Sequence, residues 1–135
     1  MFTKFTNSQL AFFFGRLLYG VNFFAHGLVR IPKLNKFMEW ILNEFKDTMI
    51  PKVLLEPYAF LLVFLELVVG VSLVFGFKTR FFLIISNLIL ISLIFGACIQ
   101  EAWPRVGVQM VYAIFNYKLL RDYSNQNDIL SITKR

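Results

Sequence analysis

The chain has 135 residues, enough for one domain, and combines a mean hydropathy of +0.65 with a hydrophobic share of 58%. A soluble domain of this size buries only about two thirds of its unfolded surface, so the composition excludes an ordinary soluble fold and indicates a membrane protein. The formal charge of +6 would suggest a nucleic-acid partner in a soluble protein. Here the basic residues flank apolar blocks, where they contact anionic lipid headgroups, so we expect a lipid bilayer as partner and no nucleic acid.

The first apolar block covers about residues 9–29 and predicts a retained transmembrane helix. It is not typical of a signal peptide, because Arg16 interrupts its core and no A-x-A-like cleavage site follows. The block contains GRLLYGVNFFAHGLVR, which holds two arginines and the only histidine, His26. At 100° per residue, one face about 80° wide collects Arg16, Gly20, Phe23, Gly27 and Arg30. His26 borders this face, which we therefore expect to be wet or covered by protein.

The segment after this block is too polar to span a bilayer and predicts an amphipathic helix over about residues 34–48. Its apolar side chains recur at helical spacing, at Leu34, Phe37, Met38, Ile41, Leu42 and Phe45. Pro32 and Pro51 bracket the segment. One interpretation is a helix at the membrane interface with Trp40 near headgroup depth. The other is a loop folded over the mouth of the bundle.

Two further apolar blocks, at about residues 53–77 and 81–99, are each long enough to cross the bilayer. The first carries Glu66 deep in LLVFLELVVGVSL, with Gly70 one turn further on the same face. The two blocks are joined by GFKTR, in which Gly76 stands where a helix C-cap belongs. The pattern predicts a tight helical hairpin with one carboxyl group at membrane depth.

The fourth block, about residues 106–120, is short and polar, and only its periodicity favours a transmembrane helix. Arg105, Gln109, Tyr112 and Asn116 fall within about 60° of one another, so a polar side would face the bundle. Four spans place both termini on one side, and the basic KTR hairpin favours the cytoplasmic side. We expect the polar tail, residues 122–135, to be mobile.

Charged side chains at membrane depth are costly and need partners. The simplest prediction is that Arg16 pairs with Glu66, while Arg30, near a helix end, snorkels towards the interface. Two interpretations stay open for this pair: a structural ion pair, or part of a ligand or proton site. His26 is either a polar cap at the bundle mouth, bonded to a carbonyl or to the Arg105–Asn116 stripe, or a functional group. Glycines 20, 27 and 70 are expected to permit close helix packing.

Three segments of the chain resemble the DoxX family of small four-helix membrane proteins, which includes the DoxD-like subunit of thiosulfate:quinone oxidoreductase. They are GRLLYGVNFFAHGLVRIPKL, FLELVVGVSLVFGFKTR and WPRVGVQMVYA, and the resemblance covers about residues 10–121. It implies an all-α polytopic membrane protein: a four-transmembrane-helix bundle with an amphipathic interfacial helix between helices 1 and 2. The family positions that carry over are Arg16, His26–Gly27, Arg30, Glu66, Gly70 and the turn from Gly76 to Arg80.

Family associations of this kind include electron transfer from sulfur compounds to quinone and partnership with thiol or superoxide defence proteins. Cys98 is the only cysteine, so the chain has no sulfur-relay pair of its own, and thiosulfate oxidation by this chain alone is not expected. The resemblance also implies the bacterial cytoplasmic (inner) membrane as location. A redox partner protein, soluble or membrane-bound, would have to supply the electrons.

Two functional hypotheses follow, and whether the chain is itself an enzyme stays open between them. In the first, it is a quinone-interacting or accessory subunit of a redox system and binds menaquinone or ubiquinone, with His26 and Glu66 as catalytic groups. The ligand-binding residues would be Arg16, Arg30, Gln109, Tyr112 and Asn116. In the second, it is a non-enzymatic anchor or hydrophobic-ligand-binding module for a partner protein. A transporter would require a homo-oligomer and is the least favoured interpretation.

Overall fold

The computed structural model describes residues 2–132, and its regular elements are helical. Five α-helices follow one another along the chain, with short 3-10 turns at Phe2–Lys4 and Ile31–Lys33. They are α1 (Asn7–Arg30), α2 (Leu34–Glu44), α3 (Lys52–Phe75), α4 (Thr79–Ile99) and α5 (Trp103–Asp122). The amphipathic helix is shorter than expected, since it ends at Glu44 and turns occupy the rest of the predicted 34–48 segment.

The helix boundaries have local chemical causes. Thr6 and Gln9 form a capping box at the start of α1, where each side chain accepts from the other residue's backbone N–H. Gly76 ends α3 in the left-handed region at φ +69°, and the N–H of Phe77 donates back to the Ser72 carbonyl at 2.8 Å. Pro104 lies in the first turn of α5, where a missing N–H has no cost.

The closest helix contact is between α1 and α3, and glycines make it possible. A Cβ added to Gly27 would lie 2.6 Å from the Leu67 backbone nitrogen, and one added to Gly20 would lie 2.8 Å from that of Val74. Gly70 packs still more tightly, against the backbone of Phe24. The expectation that these glycines serve packing is confirmed. The predicted protein-facing side of α1 is also confirmed over Arg16–Gly27, where Arg16, Gly20, Phe23 and Gly27 are all buried.

Three helical runs among the described residues are long and apolar enough to cross a membrane: Asn7–Glu44, Lys52–Phe75 and Thr79–Ile99. Helix α5 is not among them by hydropathy, although it has 20 residues. It buries the polar Asn116 together with Leu119, while several of its other apolar side chains point outward. The exposed apolar side chains of α5 include Val108, Met110, Val111, Ile114 and Phe115.

The polar tail packs against the bundle through residues 122–132, so the expectation that it is mobile is wrong for this part. Asp128 and Ser131 are buried, and the Ser131 hydroxyl donates to the Gly76 carbonyl. The Gln9 amide donates to the Gln126 carbonyl at 2.9 Å and ties the tail to the start of α1. In this position the tail brings the carboxylate of Asp128 to the buried Arg16. Residues 133–135 of the predicted tail lie outside the described residues.

Candidate functional site

A cavity of about 330 Å³ opens at the end of the bundle where α1 ends and α3 and α5 begin, and all five helices contribute to its lining. We call it the mouth pocket. Its polar lining consists of Asn22, His26, Arg30, Tyr58, Glu66, Ser92, Gln100, Arg105, Gln109 and Tyr112, and its apolar wall includes Phe23, Phe37, Trp40, Ile41, Phe45, Leu62, Leu90, Leu93, Ala97 and Val108. Helix α2 forms part of this wall because Ile41 packs on Leu55 and Ala59 of α3.

Glu66 pairs with Arg30 in the mouth pocket, so the predicted Arg16–Glu66 pair is wrong. The Arg30 guanidinium donates to Glu66 Oε2. The Glu66 carboxylate is buried, whereas the Arg30 side chain keeps 27% of its surface exposed and lies 4.6 Å from the ring centre of Phe37. Arg30 therefore does not simply snorkel to the interface. It reaches inward to neutralise a buried carboxylate and remains accessible from the cavity.

His26 has a defined hydrogen-bond direction. Its Nδ1 lies 2.8 Å from the backbone carbonyl of Asn22, one turn earlier in α1. A carbonyl oxygen only accepts, so Nδ1 carries a proton. In the neutral imidazole, Nε2 is then unprotonated and accepts a hydrogen bond or a proton. Two structural hydrogen-bond partners were expected for His26, a backbone carbonyl or the α5 stripe. The structure shows the carbonyl.

Helix α5 contributes three of its four stripe residues to the pocket. Arg105 donates to Gln100 at 2.6 Å and pairs with Glu44 at 3.3 Å, and its guanidinium lies 5.3 Å from the ring centre of Trp40. These contacts tie α2, the end of α4 and the start of α5 together at the rim. Gln109 and Tyr112 lie deeper along the same stripe, and the buried Gln109 Oε1 has no hydrogen-bond partner within residues 2–132.

Asn116, the fourth stripe residue, lies below the pocket and does not line it. Its amide nitrogen is 2.8 Å from the Tyr19 hydroxyl and 2.5 Å from the Ser86 hydroxyl, and its Oδ1 accepts from Asn87 at 3.2 Å. The side chain thus joins α1, α4 and α5 in a buried polar network. Its ligand-binding assignment is not supported by position, since its polar atoms are directed at neighbouring helices.

Arg16 also lies away from the mouth pocket, at the other end of the bundle. Its side chain is fully buried, and Nη1 donates to the Leu73 carbonyl at 2.5 Å. Arg16 Nε lies 3.2 Å from Asp128 Oδ1, an ion pair that is not aligned as a hydrogen bond. A Cβ at Gly76 would lie 2.7 Å from Arg16 Nη1, so glycine there leaves room for the guanidinium. We call this cluster of Arg16, Leu73, Gly76 and Asp128 the closed end.

Sequence reasoning missed residues of the mouth pocket, among them Tyr58, and it missed Asp128 of the closed end. The Tyr58 hydroxyl lies 2.8 Å from Ser92 Oγ inside the bundle. The spacing could have indicated that Tyr58 faces the pocket, because Tyr58, Leu62 and Glu66 recur every four residues on one face of α3. The burial of Asp128 could not be predicted from hydropathy, since Asp128 lies in a polar segment that no periodicity links to α1.

The comparisons with known proteins support a membrane protein. The sequence model of the DoxX family matches residues 11–99, about two thirds of the chain, from the second turn of α1 to the end of α4. No curated protein and no solved structure matches the chain. DoxX is a membrane family, in accord with the three apolar helical runs. The match spans well over half of the sequence and includes Arg16, His26, Arg30 and Glu66, and the chain belongs to the DoxX family.

Proposed function

We propose that this DoxX protein binds the head of a membrane quinone, menaquinone or ubiquinone, in the mouth pocket and serves as the membrane subunit of a redox system. One observation carries the proposal: a cavity of about 330 Å³ brings His26 and the Arg30–Glu66 pair together within an aromatic and aliphatic wall. Small-molecule pockets have volumes of roughly 300–1,000 Å³ and combine an apolar lining with a few convergent polar groups.

The residues present suit such a head group. A bound quinone supplies two-electron, two-proton chemistry. Because Nδ1 is held on the Asn22 carbonyl, the neutral tautomer of His26 offers Nε2 as an acceptor for a hydroxyl proton. Glu66 is the second site that can hold a proton, and Arg30 orients it and balances its charge. Gln109 offers an unpartnered buried oxygen among residues 2–132, and Tyr112 lines the same wall.

Electrons would come from a redox partner protein, soluble or membrane-bound. The supporting observation is that residues 2–132 contain no cluster of metal-ligating side chains and Cys98 is the only cysteine in the chain. We therefore propose a subunit of a quinone-linked oxidoreductase rather than a self-sufficient enzyme.

A non-enzymatic ligand-binding module for a partner protein is the second candidate. It is favoured by the Arg30–Glu66 pair itself, because a carboxylate that already has a charged partner needs no proton exchange to be stable. In that case the same pocket would bind a hydrophobic metabolite or lipid, and Glu66 would serve to join α1 and α3.

For the topology we propose four spans, with α5 as the fourth and α2 at the interface. The apolar outer face of α5 and its inward polar side chains support a membrane-spanning helix that packs its polar stripe on the bundle. The exposed Trp40 and Trp103 suit headgroup depth at the pocket end. We place the protein in the bacterial inner membrane with both termini cytoplasmic, which puts the mouth pocket at the opposite face.

Mass spectrometry of the organic extract from gently purified protein tests the proposal. We expect near-stoichiometric quinone with the wild type and loss of it in Glu66→Gln and His26→Gln. Glu56→Gln is the matched control, since Glu56 is on the same helix but is exposed and pairs with Lys52. Bulk lipid alone in every sample rejects the quinone proposal. Because the His26 bond is local to α1, His26→Gln remains informative if Glu66→Gln does not fold.

A further inference from the structure

We infer that a groove between α3 and α4 holds the hydrocarbon chain of the ligand whose polar head occupies the mouth pocket. This inference rests on the proposed function and extends it to the whole ligand. The groove is a second cavity, of about 250 Å³. Three side chains, those of Tyr58, Leu62 and Ser92, line both cavities. The two spaces are therefore neighbours separated by these three side chains, and a ligand chain can pass from one into the other when the Tyr58 side chain moves.

The groove differs from the mouth pocket in chemistry. Beyond the three shared residues its lining is aliphatic: Leu61, Leu65, Ile85, Leu88 and Ile89. It runs along α3 from Tyr58 to Leu65, a rise of roughly 10 Å at 1.5 Å per residue. Leu61 and Leu88 are 54% and 57% exposed, so the groove opens on the lipid-facing side of the bundle. A polar cavity next to an aliphatic groove matches a molecule with a polar ring and one apolar chain.

A hydrogen bond between Tyr58 and Ser92 joins α3 and α4 at the shared wall. Ser92 Oγ donates to the Ile89 carbonyl at 2.7 Å, so the hydrogen of its hydroxyl group is used within α4. The Tyr58 hydroxyl must then donate to Ser92 Oγ across the 2.8 Å contact. Moving the Tyr58 side chain breaks this one bond and leaves the Ser92–Ile89 bond intact. The pair thus forms a gate between the lipid-facing groove and the pocket.

The chain of the pocket's own ligand is the occupant that continuity with the head site favours. A bulk phospholipid chain would fill the groove equally well on polarity, but it would not depend on the mouth pocket. The two sources differ in one measurable respect. If the groove holds the chain of the head-group ligand, a side chain that fills the groove weakens ligands with a chain and spares ligands without one. If it holds a bulk lipid chain, both kinds of ligand are affected equally or not at all.

The test uses Leu88→Trp, which fills the groove from the lipid side. Ile91→Trp is the matched control, because Ile91 lies on the same helix, is 63% exposed and lines neither cavity. Binding of two probes is measured in nanodiscs: a benzoquinone head without a chain, and the same head with a decyl chain. Each probe is compared between proteins in the same bilayer, so its partitioning into lipid cancels.

We expect Leu88→Trp to weaken the decyl probe by about ten-fold, the scale of an overpacked cavity, and to leave the head-only probe unchanged. Ile91→Trp should alter neither. Equal binding of the decyl probe to wild type and Leu88→Trp overturns the groove assignment while the proposed function stands. Equal loss of both probes also overturns it, because the effect is then not on the chain. If neither probe binds the wild type, the proposed function itself fails.

Discussion

The two arginines on the inward face of α1 are used in opposite ways. Arg16 is fully buried at the closed end, where the α3 carbonyls and a carboxylate from the tail surround it. Arg30 borders a cavity, keeps about a quarter of its side chain exposed and holds the carboxylate of Glu66. An arginine is costly in lipid at either position. The protein nevertheless seals Arg16 at one end of the bundle and leaves Arg30 accessible at the other.

The difference teaches where chemistry can take place in this protein. At the closed end a protein group covers each approach to the guanidinium, so Arg16 acts as a clamp that joins α1, α3 and the tail. At the pocket end the ion pair lies beside His26 and an unfilled volume. Function is thus expected at the Arg30 end and stability at the Arg16 end, and four predictions test this division.

The largest expected effect is loss of the clamp. Arg16→Met leaves Asp128 buried without its charged partner and should lower the free energy of unfolding by about 3–5 kcal/mol, the scale for breaking a buried ion pair. Thermal unfolding in detergent measures it. Arg16→Met combined with Asp128→Leu should recover much of the loss, because no uncompensated charge remains. A cost below about 1 kcal/mol for Arg16→Met, the range of an exposed pair, would contradict the sealed arrangement.

The next effect concerns the α1–α3 contact that connects the two ends. Gly27→Ala places a methyl group against the Leu67 backbone, and we expect it to lower the free energy of unfolding by about 1–3 kcal/mol because helix backbones must move apart. Gly107→Ala is the control, since a Cβ there meets nothing within 4 Å. It should raise stability by up to about 1 kcal/mol through helix propensity. Equal changes in the free energy of unfolding for Gly27→Ala and Gly107→Ala would show that α1 and α3 do not need to pack closely at Gly27.

The pocket ion pair should matter less for folding than the clamp. Glu66→Gln keeps a hydrogen-bonding group for Arg30 and leaves that arginine partly exposed, so we expect a stability loss of about 1.5 kcal/mol, typical of a charged hydrogen bond. Quinone retention should fall strongly, whereas the free energy of unfolding should fall only by this amount. A double-mutant cycle over Arg30 and Glu66, set beside one over Arg16 and Asp128, measures the difference. A larger coupling at the pocket end would reverse the division proposed above.

Whether a feature of the fold or the site could be predicted from the sequence depends on how far apart in the chain the interacting residues lie. Periodicity identified the buried face of α1, and a glycine at the expected C-cap identified the end of α3, because both signals lie within a few residues. The partners of Arg16 and Glu66 could not be identified, since they depend on the depth at which helices meet. The partner of Arg16 is Asp128, 112 positions away in a polar tail, and a polar composition alone gives no reason for such a segment to pack.

The smallest effect is at the gate and is kinetic. Tyr58→Phe removes one interhelical hydrogen bond, a loss of about 0.5–1.5 kcal/mol, and leaves no orphaned donor because the Ser92 hydroxyl still donates to Ile89. If ligands enter through the groove, the decyl probe should both bind and dissociate faster, with little change in equilibrium affinity, and stopped-flow measurements in nanodiscs can resolve the two rates. Tyr117→Phe is the control, because Tyr117 is 62% exposed on α5 and lines neither cavity. Unchanged rates in Tyr58→Phe would mean that ligands enter by the open mouth beside Arg30, where the exposed guanidinium already gives access to the pocket.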